Sequence, residues 1–175
     1  AFAGTAEIGE PALDHAYEMI AQSYDPRYGG FDPAPKFPTP HRLRFLLHQY
    51  HRTGNEKALN IVRHTLTAMR HGGIWDHIGF GFHRYSTDAR WLLPHFEKML
   101  YDQALLATTY IEAYQITGDP LLGKTAEEIF TYVLRDMTSE EGGFFAAEDA
   151  DSEGEEGKFY VWTRSEFESV LGPEE

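Results

Sequence analysis

Between positions 75 and 98 the chain reads WDHIGFGFHRYSTDARWLLPHFEK, its richest run of groups able to move a proton or grip a ligand. His77 and His95 are the candidate catalytic residues. Imidazole titrates near neutral pH, so it can both take and return a proton. Arg84 and Lys98 are donors for an oxygen that gains negative charge during such a transfer. Trp75, Asp76, His83, Trp91, Glu97 and, a little further on, Asp102 are candidate binding groups around them. The competing reading is structural: His95 packs at a helix start, and His77 bonds loop backbone.

These side chains need a scaffold, and the apolar spacing supplies one. Residues 11–23, 40–53, 55–70, 94–117 and 119–137 show helical periodicity, and another helix begins near Ser165. Asn55 and Asp119 are suited to cap helix starts, with Pro120 at the first helical position. Residues 94–117 are apolar on nearly every side, which predicts a buried inner helix. Their polar residues crowd the first turns, where His95, Lys98 or Met99, and Asp102 would share one face.

Glycine-rich segments follow alternate helices: YGGFDPAPKFPTP, HGGIWDHIGFGFHRYS and EGGFFAAEDADSEGEEGKFYVWT. Each opens with Gly-Gly and an apolar residue, as expected of a left-handed helix stop. FYVWT in the third has the content of a short strand. The recurrence predicts stacked helical hairpins whose loops gather at one end. In the first segment, Lys36 between two prolines reads as a solvated loop charge or a group at the mouth of that end.

Composition narrows the function. A net charge of −13 repels phosphate backbones, so nucleic acid is not an expected partner. The chain has no Cys, which removes disulfides and thiol nucleophiles. No apolar run is long enough to span a bilayer, and the first ten residues lack a signal peptide's features. A soluble, cytoplasmic protein without membrane contact is expected. DADSEGEEGKFY places Asp149, Asp151 and Glu153 like the first ligands of a calcium loop. Tyr160 then stands where the bidentate Glu belongs. There is no HExxH pattern, so neither a metal nor another cofactor is expected.

The segments GGFDPAPKFPTP, GGIWDHIGFGFHRYSTDARWLLPHFEKMLYDQA and GGFFAAEDADSEGEEGKFYVW resemble the barrel region of the spermatogenesis-associated, thioredoxin-domain-containing (YyaL-like) family. The resemblance covers roughly residues 11–172. That barrel is in turn similar to the N-acylglucosamine 2-epimerase superfamily, an (α/α)6 toroid. It implies an all-α fold: the N-terminal portion of an α/α toroid over residues 11–175, with short β-hairpins at one end and a linker over 1–10. It also implies a thioredoxin-like domain of the parent chain as partner and a small carbohydrate as ligand. The implied chemistry is isomerisation or epimerisation by proton abstraction next to a carbonyl. The epimerases' own acid/base histidines lie on inner helices further along the barrel. Their equivalents fall either among these residues or beyond residue 175.

Within that frame Trp75, Trp91 and Trp162 suit a sugar's apolar faces. They suit equally the bracing of loops against the barrel end. Glu148, Asp149, Asp151 and Tyr160 would reach hydroxyls at the mouth. Asp76 with Asp149 or Asp151 would be the carboxylate pair of a glycoside hydrolase-like toroid. A non-catalytic module that binds a sugar or protein client is the third reading.

Overall fold

A computed structural model describes residues 9–171. Helices α1 (Glu10–Gln22), α2 (Pro40–Thr53), α3 (Glu56–His71), α4 (Leu100–Thr117), α5 (Pro120–Asp136) and α6 (Arg164–Val170) alternate with short paired segments. Asn55 Oδ1 accepts the Lys57 amide at 3.0 Å, and Asp119 Oδ1 accepts the Leu121 amide at 3.0 Å. Gly54 and Gly118 close α2 and α4 in the left-handed conformation, at φ of 70° and 68°. Each is followed at once by the next helix, so α2–α3 and α4–α5 are tight helical hairpins.

Packing sorts the helices into two layers. α2 lies against α4, α3 lies against α5, and α1 covers α2. Leu43, Leu46 and Leu47 of α2 meet Leu59, Val62, Leu66 and Met69 of α3. Leu106, Tyr110 and Ala113 of α4 then carry the same core on to Leu122, Ala126 and Ile129 of α5. The linker expected over 1–10 lies mostly outside the described residues, and Glu10 already belongs to α1.

Three expectations need correction. The helix expected from residue 94 begins at Leu100. Residues 94–99 are extended instead: β2 (Pro94–His95) pairs with β1 (Tyr85–Ser86), and β3 (Lys98–Met99) pairs with β4 (Ala147–Glu148). Pro94 biases Leu93 away from helix, and ladder hydrogen bonds from distant segments then hold residues 94–99 extended. α4 is also not buried all round. Tyr101 and Leu105 are exposed on one side and Tyr114 near the C-terminal end, while Leu106, Tyr110 and Ala113 are buried. Lastly, FYVWT is not a strand. The third hairpin is β5 (Asp151–Ser152) with β6 (Glu155–Glu156), because Glu153 and Gly154, at φ of 55° and 82°, form the tight turn between them. α6 appears where expected, with Thr163 and Glu166 in a reciprocal capping box, although Phe167 stays exposed.

The candidate site at the hairpin end

Two of the glycine-rich segments build one device twice. In the first, Asp25 Oδ1 accepts the amides of Arg27 and Tyr28, Asp25 N–H donates to Gly30, and Tyr24 bridges Phe31. In the second, Asp76 Oδ1 accepts the amides of Ile78 and Gly79, Asp76 N–H donates to Gly81, and Trp75 bridges Phe82. The other carboxylate oxygen takes a lysine in both: Asp25 Oδ2 receives Lys36 at 2.7 Å, and Asp76 Oδ2 receives Lys98 at 2.8 Å. Lys36 is therefore a sealed ion-pair partner, 0% exposed, and not a solvated loop charge.

This equivalence changes how the repeats align. Gly29-Gly30-Phe31 corresponds to Phe80-Gly81-Phe82, and not to Gly72-Gly73. Gly29 and Phe80 both have φ of 70°. Gly72, by contrast, stops α3 in an extended conformation, at φ −81°. Its glycine is needed for close approach: a Cβ there would come within 2.6 Å of the Trp91 carbonyl oxygen.

Around the second lock the structure opens a cavity of about 550 Å³, lined by Asp76, Gly79, Lys98, Tyr132, Arg135, Asp136, Glu148, Phe159 and Tyr160. Glu148 sits directly across the β3–β4 ladder from Lys98, so their side chains share a face. Its two carboxylate oxygens each accept a phenol, Tyr160 on Oε1 and Tyr132 on Oε2, both at 2.6 Å. The Lys98 ammonium lies 4.5 Å from the Tyr132 ring centre and 5.1 Å from that of Tyr160. Burial raises both phenol pKa values, and Glu148 raises them further. Burial pushes the Asp76 carboxyl up, but Lys98 and the two turn amides outweigh it and hold the group below its ordinary range. Asp76 is thus a carboxylate held by Lys98 and by its own turn.

Alternation along the extended segment sends its side chains two ways. Phe96 and Lys98 line cavities, whereas His95 and Glu97 join a second polar cluster. There Arg84 donates to Glu97 at 2.6 Å, His95 Nδ1 pairs with Glu156 Oε1 at 2.6 Å, and His95 Nε2 lies 3.7 Å from Glu97. Tyr85 stacks on the His95 ring at 5.0 Å. Asp102, in the first turn of α4, is buried beside Arg84 and Glu97, and among the described residues no donor meets its Oδ2. Burial pushes its pKa up to about 7; Arg84 opposes this and Glu97 adds to it.

The other expected site residues divide. Trp91 is buried and donates from Nε1 to Tyr28 O at 2.9 Å, so it braces a loop. Trp75 is buried too, with its Nε1–H unpaired among the described residues and Arg70 4.6 Å from its ring. With His77, His83, Phe96, Tyr160 and the half-exposed Trp162, it lines an aromatic cavity of about 460 Å³ next to the polar one. His77 Nε2–H donates to Gly72 O at 3.0 Å, the loop-bonding role. His83 Nδ1–H donates to Phe96 O at 3.0 Å. Burial, with Lys98 adding to it, lowers the His83 pKa to about 4, so its imidazole is neutral at pH 7. Asp149 caps its own turn through the Asp151 amide, and Asp151 is exposed on β5, so neither reaches the cavity wall. Among the described residues, no group of three His, Asp or Glu could hold a metal ion.

Sequence reasoning missed Tyr132, Arg135, Asp136 and Phe159. Tyr132 continues the apolar stripe of Ile129 and Val133, so nothing marked it as a site residue. The one indirect signal was Gly81, whose absent side chain makes room for the Tyr132 ring.

No protein-family model matches the chain. It is 48% identical over 165 residues to mouse spermatogenesis-associated protein 20, and 47% identical over 168 residues to the human protein of that name. Those matches take in 89% and 90% of the chain but only 21% of each relative, so the chain spans about a fifth of their length. Among solved structures, the cellobiose 2-epimerase of Spirochaeta thermophila superposes with a TM-score of 0.71 at 19% identity, over 82% of this chain and 42% of that one. A sugar epimerase from a ruminal bacterium gives 0.70 at 20%, over 78% and 38%. D-mannose isomerase gives 0.54 at 20%, over 68% of this chain and 31% of that one. These likenesses establish the α/α toroid fold, here with short hairpins at one end.

Proposed function

With the chain a homologous segment of the spermatogenesis-associated protein 20 family, built on the toroid fold of the sugar epimerases, we propose that its hairpin end serves a carbohydrate isomerase or epimerase reaction. Asp102 carries the reading. It is a carboxyl with a pKa near 7 and one oxygen that no donor meets among the described residues, placed at the start of α4 beside Arg84 and Glu97. Such a group is charged in about half the molecules at neutral pH, so it can remove a proton next to a carbonyl and give one back. His95, oriented by Glu156, is the partner acid, and Arg84 is a donor for the developing oxyanion. His77 is tied to its own loop and serves as a brace. The thioredoxin-like domain expected from the resemblance is the partner of this barrel segment in the parent chain.

The test uses the full-length protein in deuterated water with aldoses, disaccharides and N-acylated amino sugars. NMR would follow deuterium entering the position next to the carbonyl. Exchange that Asp102→Asn and His95→Ala each abolish supports the assignment. Exchange that survives both places the reacting groups outside this segment, and no exchange with any sugar leaves a binding module.

A further inference from the structure

The two locks differ in one hydrogen bond. An ammonium has three hydrogens to donate. Lys36 places all three, on Asp25 Oδ2 at 2.7 Å and on the carbonyls of Gly29 and Ala89 at 2.9 Å each. Lys98 places two, on Asp76 Oδ2 at 2.8 Å and Phe80 O at 2.9 Å. Among the described residues its third hydrogen meets no oxygen, although the residue is only 1% exposed. A buried charged donor left unmet is costly, and the neighbouring phenol rings offset only part of that.

The surroundings changed together with that bond. The first copy pairs Lys36 with Ser86, and the second pairs Lys98 with Glu148. Trp91 covers the glycine of the first lock, and the smaller Tyr132 covers that of the second. Lys98 thus lines a cavity with one hydrogen to spare, whereas Lys36 spends all three on protein oxygens. Glu148 keeps spare lone pairs after accepting its two phenols. A donor and an acceptor therefore stand side by side, which one hydroxyl group can satisfy at once. The wall carries three carboxylates against two cations, so it disfavours an anion. Its volume of about 550 Å³ falls in the range of small-molecule sites.

We propose that this cavity binds a neutral polyhydroxylated ligand, one hydroxyl of which accepts from Lys98 Nζ and donates to Glu148. The inference shares its ligand class with the proposed function but does not rest on proton transfer at Asp102. The first copy, whose lysine places all three hydrogens within the protein, is the internal control.

The experiment titrates D-glucose, sorbitol and inorganic phosphate into the full-length protein, followed by isothermal titration calorimetry. Glucose and sorbitol should bind and phosphate should not. Glu148→Gln should weaken sugar binding about tenfold, the size of one charge-assisted hydrogen bond, and Tyr160→Phe, which frees the Glu148 carboxylate from the phenol that orients it, should weaken it at least about threefold. Ser86→Ala, at the matching place in the first copy, should leave binding within about twofold. If Glu148→Gln lowers the melting temperature sharply, Tyr160→Phe decides, since it removes a single oxygen. The proposal is overturned if neither polyol binds, if phosphate binds more tightly, or if the deciding variants bind as the parent does. Sugar binding that survives Asp102→Asn while deuterium exchange is lost would separate this site from the proposed chemistry.

Discussion

Lys36 and Lys98 grip the same place in successive repeats: each donates to the turn-capping Asp and to a carbonyl four residues beyond it. The relationship identifies the lock as a scaffold element. What distinguishes the second copy is the company it keeps, in Tyr132, Glu148 and Tyr160.

Lys36→Met should destabilise the protein by about 3 kcal/mol, because it leaves the Asp25 carboxylate without its cation. Denaturant unfolding would measure it, with polyol affinity unchanged. A loss below about 0.5 kcal/mol would show the lock to be dispensable.

Gly81→Ala should damage the cavity more than its size suggests. Gly81 has φ of 82°, and a Cβ there would lie 2.6 Å from the Tyr132 ring. Strain of about 1–3 kcal/mol and a displaced phenol are expected, visible as a lower melting temperature and weaker sugar binding. Gly54→Ala, at φ of 70° with open space around it, should show the backbone strain without the binding loss.

His83 and Asp102 should oppose each other in acid. The His83 pKa is lowered from 6.5 to about 4 on folding, so its contribution is full above pH 6.5 and is lost as pH falls toward 4. The Asp102 pKa is raised from 3.8 to about 7, so its contribution is present in acid and is lost as pH rises through 7. Each amounts to at most about 3–4 kcal/mol, and the two slopes largely cancel between pH 4 and 6.5. Asp102→Asn removes one of them. Urea melts of that variant should show stability climbing steeply from pH 4.5 to 6.5, while the parent stays nearly flat. Parallel pH profiles would refute the assignment.

The isolated 175-residue chain should self-associate. Leu100, Ala104, Ile129, Phe130, Val133, Leu134 and Phe144 line an almost wholly apolar groove of about 360 Å³ between α4 and α5, and Leu134 is 67% exposed. Sedimentation velocity should show oligomers, reduced by Leu134→Lys and Phe130→Lys. A monomer with a cooperative melt would contradict this.

The sequence by itself determined the helical hairpins and their order. Stripes such as Leu59, Val62, Leu66 and Met69, with caps at Asn55 and Asp119, depend on neighbours within a few turns, and that information is local. It also picked out Asp76, Lys98, Asp102 and Tyr160 as candidate binding groups, from the polar residues crowded into the glycine-rich segments and the turns that follow them. Only the tertiary structure decided what they do. Residues 94–99 are extended because segments around Tyr85 and Glu148 pair with them, which helical periodicity cannot report. Extension rather than helix then sent His95 and Lys98 to different clusters. Tyr132 and Glu148 lie 16 residues apart, and Lys98 and Asp76 lie 22 apart. Their convergence depends on backbone pairing between distant segments, so no short window of sequence could contain it.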